Sequence, residues 1–134
     1  MSKSETLAIQ LKKDLLKMLN RANASHTGGC LSCLDMVSVL YQEILRIKPN
    51  KPKAANRDRF ILSKGHTGAV VFATLANKGF FPKSWLDTFC ENESKIPGHI
   101  DNHVVPGVEL STGSLGHGLS VGVGMAMSLK YRKI

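Results

Sequence analysis

Apolar residues recur at three- and four-residue steps along most of the chain, which predicts a largely helical protein. Three segments share this spacing: residues 5–22, 31–46 and 67–78. Ser2 and Glu5 match a capping box at the start of the first helix, and Gly79 is placed to end the third. A short helix is predicted to follow Pro82. The second helix is expected to bury a stripe formed by Leu34, Val37, Leu40, Tyr41, Ile44 and Leu45.

Three other segments depart from this pattern. The apolar run from Arg59 to Leu62 is too short for a helix and predicts a buried strand. Residues 91–114 show neither a helical nor a strand period, and a loop of this length in a compact domain is usually functional. Residues 115–131 are apolar but contain four glycines, which predicts a helix packed closely against another backbone or a ligand.

Length and composition favour one ordinary globular domain, residues 1–134, with 43% hydrophobic and 21% charged residues. No apolar run reaches the length of a membrane span, and the N-terminus lacks the features of a signal peptide. We therefore expect a cytoplasmic protein that has no membrane partner.

The formal net charge of +8 is compatible with an anionic partner, either a nucleic acid or phosphorylated small molecules. The basic residues are scattered, however, and no nucleic-acid-binding motif accompanies them. A solvated basic surface is the favoured interpretation. A nucleic-acid-binding protein is the weaker alternative, and strong salt-dependent binding to DNA would support it.

The three cysteines do not predict a disulfide framework, because an odd number occurs without a signal peptide. Cys30 and Cys33 form a C-x-x-C pair that His26 could join around zinc, but a fourth ligand is not evident. The favoured interpretation is that both cysteines are small residues facing a neighbouring element. We assign no metal ligand in this chain.

Three histidines occur in glycine-containing turns at the ends of different elements: His26, His66 and His99. Turns at element ends commonly carry ligand sites, and imidazole can donate, accept and shuttle protons near neutral pH. A fourth motif, residues 111–118, is a glycine-rich loop that runs into an apolar helix. Such a loop lets backbone N–H groups approach an anionic ligand closely, although tight helix packing alone would also explain the glycines.

Taken in order, these motifs resemble those of transketolases. The matching stretches are SHTGG at 25–29, RDRFILSKGH at 57–66, KIPGH at 95–99 and PGVELSTGSLGHGLS at 106–120. They are most similar to the N-terminal subunit of two-subunit transketolases. The resemblance implies an α/β fold: part of a three-layer thiamine-diphosphate-binding domain, here mostly helical with one clear strand at Arg59–Leu62.

The resemblance also implies roles for individual residues. His66 is expected to contact thiamine diphosphate, and the loop residues expected to line that cofactor are Gly113, Ser114 and Leu115. His26 and His99 are expected to be catalytic and to face the sugar phosphate. The implied reaction transfers a two-carbon glycolaldehyde unit from a ketose phosphate to an aldose phosphate. Thr27 and His117 replace the proline and glutamine common in the family, and His103 matches no family role.

The family's Gly-Asp-Gly motif, which holds Mg²⁺ against the diphosphate, is absent from these 134 residues. The chain is therefore expected to be a partial domain that is inactive alone. The complete enzyme would add a C-terminal transketolase subunit or domain and would form a homo-oligomer. The alternative of a different class is a non-catalytic partner chain of another transketolase-like subunit.

Overall fold

The computed structural model describes all of residues 1–134 and consists of helices and loops. It has four α-helices: α1 (Lys3–Arg21), α2 (Thr27–Val39), α3 (Gly68–Asn77) and α4 (His117–Tyr131). A π-helical turn, Leu40–Ile44, continues α2, and 3₁₀ turns occupy Gly65–Thr67 and Lys83–Thr88. None of the helices is both long enough and apolar enough to cross a membrane.

Two helix ends follow the local signals in the sequence. The Ser2 side chain accepts a hydrogen bond from the Glu5 backbone N–H, and the Ser2 N–H donates to the Glu5 carboxylate, so the capping box is confirmed. Gly79 follows the C-terminus of α3 with φ +82°, a left-handed conformation that glycine adopts at low cost. The N–H of Phe80 then donates to the carbonyl of Leu75, which completes a Schellman motif.

Helix α2 differs from its predicted bounds at both ends. It begins at Thr27 rather than at residue 31, because His26 takes a left-handed φ of +74° and turns the chain into the helix. At the other end the Leu45 N–H donates to the Leu40 carbonyl, one residue further back than in an α-helix. This wider turn changes the register, and Ile44, which was predicted to be buried, is 59% exposed.

The core lies where α1, α2 and α3 pack against one another. Helix α3 is at the centre, since every residue from Gly68 to Ala76 is buried, and Phe72 is completely inaccessible. Helix α1 contributes the predicted stripe, with Leu11 and Leu15 fully buried. The amphipathic pattern therefore identified the packing face of α1 correctly.

The prediction of an α/β fold is wrong, because the structure has no β-strand. The segment Arg59–Leu62 is buried or half-buried as expected, but none of its backbone N–H groups makes a hydrogen bond. A strand exists only where neighbouring backbone completes a ladder, and no other segment of this chain lies alongside to do so. Burial and apolar composition alone were not sufficient to make this run a strand.

Helix α4 stands apart from the three-helix core and packs mainly against the segment that precedes α3. The prediction that its four glycines pack closely against another backbone or a ligand holds only in part: a Cβ atom added to Gly118 would lie 2.8 Å from Ser63 Cβ, a side-chain atom, whereas one added to Gly116 or Gly124 would meet nothing within 4 Å. The outer face of α4 is exposed and apolar, with side chains spaced four residues apart: Leu119 (75% exposed), Val123 (52%), Met127 (68%) and Tyr131 (90%).

We predict that leucine-to-alanine changes in the core and on α4 will have very different effects on the stability of the protein. Leu11→Ala should lower the free energy of unfolding by about 2–5 kcal/mol, because it leaves a cavity beneath a fully buried side chain. The matched Leu119→Ala change should alter stability by no more than about 0.5 kcal/mol. Urea unfolding of both variants is the measurement, and equal losses would show that α4 belongs to the cooperative core.

Candidate active site

The three turn histidines come together in space although the first and the last are 73 positions apart in the sequence. The ring centroids of His26 and His66 are 5.0 Å apart, and those of His26 and His99 are 6.2 Å apart. His26 and His99 are exposed and His66 is half-buried, so their rings are accessible to a ligand. The arrangement offers several proton donors and acceptors to one bound molecule.

Gly65 is the junction that brings these turns together. A Cβ atom at this position would lie 2.0 Å from the carbonyl oxygen of Thr112, so only glycine allows the loop after residue 111 to approach. The Gly65 carbonyl accepts a hydrogen bond of 3.1 Å from the N–H of Ile100, which fixes the turn carrying His99. The side chain of Thr112 donates in turn to the Leu62 carbonyl, at 2.5 Å.

The glycine-rich loop predicted to line the cofactor is exposed and anchored at both ends to the turn that carries His66. Thr112 holds one end through Gly65, and at the other end the N–H of Gly118 donates to the Ser63 hydroxyl at 3.2 Å. Between these anchors the backbone N–H groups of residues 113–116 make no hydrogen bond within the chain. They therefore remain available to an anionic ligand at the start of α4.

A cavity of about 330 Å³ adjoins the histidine cluster and is lined by His26, His66, His99 and Cys90. Cys90 is exposed, but partial desolvation raises the pKa of its thiol above the ordinary value, which favours the neutral form. Two cavities of about 620 and 540 Å³ lie elsewhere but contain none of the three histidines. We place the candidate site at the smaller cavity because the titratable groups converge there.

Cys90 is a cavity residue with left-handed backbone that sequence reasoning missed, as it also missed Asn23 (φ +47°) in the same cavity. Cys90 adopts a φ of +62°, and its N–H donates to the Ile96 carbonyl, which folds residues 90–96 back towards the turn of His99. No local signal in the sequence marks this position, because neither a glycine nor an asparagine occupies it.

The other candidates from the sequence lie outside the cluster or have structural surroundings. Cys30 and Cys33 are buried in the core, and burial raises the Cys30 pKa to about 11. No group of three histidine, cysteine or acidic side chains is arranged to hold a metal ion. His103 is exposed in the long loop, and the His117 ring hydrogen bonds with the Ser114 carbonyl through Nδ1.

Comparison with known protein families identifies the family of this chain. Residues 5–133 match the family model described as the transketolase thiamine diphosphate binding domain. The chain belongs to the transketolase family. The resemblance carried by its histidine and glycine motifs is thereby confirmed.

Individual transketolases show how far the similarity extends. The chain is 48% identical over 132 residues to one of the subunits of the apulose-4-phosphate transketolase of Phocaeicola vulgatus, covering 96% of this chain and 47% of that protein. It is 38% identical over 120 residues to the 6-deoxy-6-sulfo-D-fructose transketolase subunit SqwG of a Clostridium species, covering 90% and 44%. The transketolase structure from Campylobacter jejuni superposes with a TM-score of 0.87 at 33% identity, covering 97% of this chain and 20% of that one. The chain thus spans about half the length of the curated subunits it matches.

We predict that Gly65→Ala will disrupt the junction of this transketolase domain. The added methyl group would meet backbone rather than a flexible side chain, so the Thr112 segment must move, and stability should fall by about 1–3 kcal/mol or more. The matched change Gly28→Ala places a methyl group in open space on α2 and should be neutral or stabilising by up to about 1 kcal/mol. Thermal unfolding compares the two, and a tolerated Gly65→Ala would contradict the junction.

Proposed function

We propose that this chain forms the thiamine-diphosphate-binding and sugar-contacting part of a transketolase that moves a two-carbon glycolaldehyde unit from a ketose phosphate to an aldose phosphate. The observation that supports it best is the Gly65 junction. It joins three converging histidines to a glycine-rich loop whose N–H groups are unused.

The loop and the half-buried histidine suit the cofactor. A diphosphate or pyrimidine acceptor would meet free N–H groups at Gly113, Ser114 and Leu115, next to the positive end of the α4 dipole. His66 follows Gly65 directly, so its backbone adjoins the junction that anchors that loop, and its ring lines the cavity. When bound, thiamine diphosphate supplies the electron sink for carbon–carbon cleavage.

The two exposed histidines suit the sugar. The rings of His26 and His99 both line the cavity with their centroids 6.2 Å apart, a separation that lets both reach one small polar molecule. In the proposal they hold substrate hydroxyl groups and transfer protons to and from the sugar oxygens.

The proposal assigns no magnesium ligand to this chain. Mg²⁺ requires oxygen ligands in octahedral geometry, and no group of three candidate ligands is assembled here. In the proposal the metal that accompanies the diphosphate is held by other parts of the complete enzyme, and no step is derived through it.

The exposed apolar stripe on α4 supports a partner subunit or domain. Four large side chains spaced four residues apart form a continuous apolar ridge, a feature that marks interaction surfaces in proteins. Two of the most similar relatives are named as subunits of transketolases. We propose that a C-terminal transketolase subunit or domain covers this ridge. The alternative is that this chain is a non-catalytic partner of another transketolase-like subunit.

A chimaera tests the proposed function directly. In the P. vulgatus subunit that matches this chain, the 132 matched residues are replaced by this chain, and the product is assayed with the remaining part of that enzyme. We expect transketolase activity that depends on thiamine diphosphate, with cofactor affinity within about tenfold of the native subunit, or about 1.4 kcal/mol. A folded chimaera without cofactor-dependent turnover would favour the non-catalytic alternative.

Histidine variants of the same chimaera separate the two roles. His66→Ala should weaken thiamine diphosphate binding by about tenfold or more, equivalent to about 1.4 kcal/mol. His26→Ala and His99→Ala should lower kcat by about 100-fold and leave cofactor affinity nearly unchanged. His103→Ala is the matched control, since this exposed histidine lies outside the cavity. Calorimetry and steady-state kinetics are the measurements, and equal loss of cofactor affinity in all three would show that the roles are misassigned.

A further inference from the structure

Lys64 joins the two elements that carry His66 and His26. Its Nζ donates to the Gly29 carbonyl at 2.8 Å and to the Ser32 hydroxyl at 2.9 Å, and both acceptors lie in the first two turns of α2. The Ser32 hydroxyl also donates to the Gly29 carbonyl at 2.8 Å, so the three groups form a closed triangle. A charged donor makes such hydrogen bonds stronger than neutral ones.

The triangle lies within one helical turn of both histidines. His66 is two residues after Lys64, and His26 is three residues before Gly29, which is about 4.5 Å along the axis of α2. Close packing reinforces the joint, because a Cβ atom on Gly29 would lie 2.9 Å from Thr67 Cγ2 and 3.7 Å from His66 Nε2. The Lys64 carbonyl also accepts from both the backbone N–H and the hydroxyl of Thr67, which closes the 3₁₀ turn of His66.

The one hydrogen bond of His26 lies within α2, where its carbonyl accepts from the Cys30 N–H at 2.9 Å, so His26 is not bonded to the turn of His66. It starts α2 in a left-handed conformation and makes no side-chain capping bond. The 5.0 Å separation of its ring from that of His66 is therefore set by how the start of α2 docks on the turn of residues 63–67.

We propose that Lys64 is a positioning residue: its ammonium group clamps the first turns of α2 onto the turn of His66 and so sets the separation of His26 and His66. This inference deepens the proposed function, because the separation determines how one histidine meets the sugar while the other meets the cofactor. A displacement of about 1 Å between such groups costs up to about 100-fold in rate.

The structural test uses the full 134-residue chain and needs no activity. Proton NMR of the wild type should show a cross-peak between the rings of His26 and His66, whose centroids are 5.0 Å apart. Lys64→Met should weaken or abolish it, whereas Lys64→Arg, which keeps a charged donor, should retain it. Lys17→Met, at an exposed site on α1, is the matched control. A full-strength cross-peak in Lys64→Met would overturn the proposal.

Two further measurements keep the test decisive. If Lys64→Met does not fold, Ser32→Ala removes one acceptor and should weaken the same cross-peak, and an unchanged cross-peak there would overturn the proposal. In the chimaera, Lys64→Met should lower kcat about 10- to 100-fold with thiamine diphosphate affinity changed far less, and Lys64→Arg should restore it. A chimaera inactive in every form would count against the proposed function and leave the NMR result to decide the role of Lys64.

Discussion

The candidate site depends on one steric constraint, the absence of a side chain at Gly65. Thr112 and Ile100 both contact the backbone at this position, one through a close carbonyl approach and the other through a hydrogen bond. Close-packed backbone of this kind cannot yield to a methyl group without a shift of the segment itself. Three loops distant in sequence are thereby held at one place, and each carries residues of the candidate site.

The three-helix core supplies the rigidity that this junction requires. The 3₁₀ turn that contains Gly65 leads directly into α3, which is the most buried element of the chain. The position of Gly65 is therefore fixed by the centre of the core. Helix α2 approaches from the side and is joined to the same turn through Lys64. The histidines themselves lie at or near the surface. The buried elements that precede or follow them in the chain determine where they lie.

Helix α4, unlike the other three α-helices, lies outside the core and is held mainly by its first turn. Its first turn is anchored at Ser63 and beside Ile61, while its outer face remains apolar and exposed. A partly buried ion pair joins Arg57 to Glu109, and desolvation raises the Glu109 pKa although nearby Arg59 acts in the opposite direction. The glycine-rich loop is anchored to the turn before α3 and continues into a helix whose outer face is exposed and apolar.

The sequence by itself determined the local features and the family. The capping box of Ser2, the stripe of α1 and the end of α3 at Gly79 all follow from side chains within a few residues of each other, and the ordered histidine and glycine motifs predicted the transketolase resemblance. Only the tertiary structure decided the rest, because it depends on contacts between distant segments. Arg59–Leu62 has the composition of a strand but no backbone beside it to pair with, and Ile44 is exposed because a π-helical turn shifts the register of α2. The closeness of His26 to His66 likewise depends on the hydrogen bond from Lys64 to the Gly29 carbonyl. These two residues are 35 positions apart, so no local sequence pattern could predict the contact.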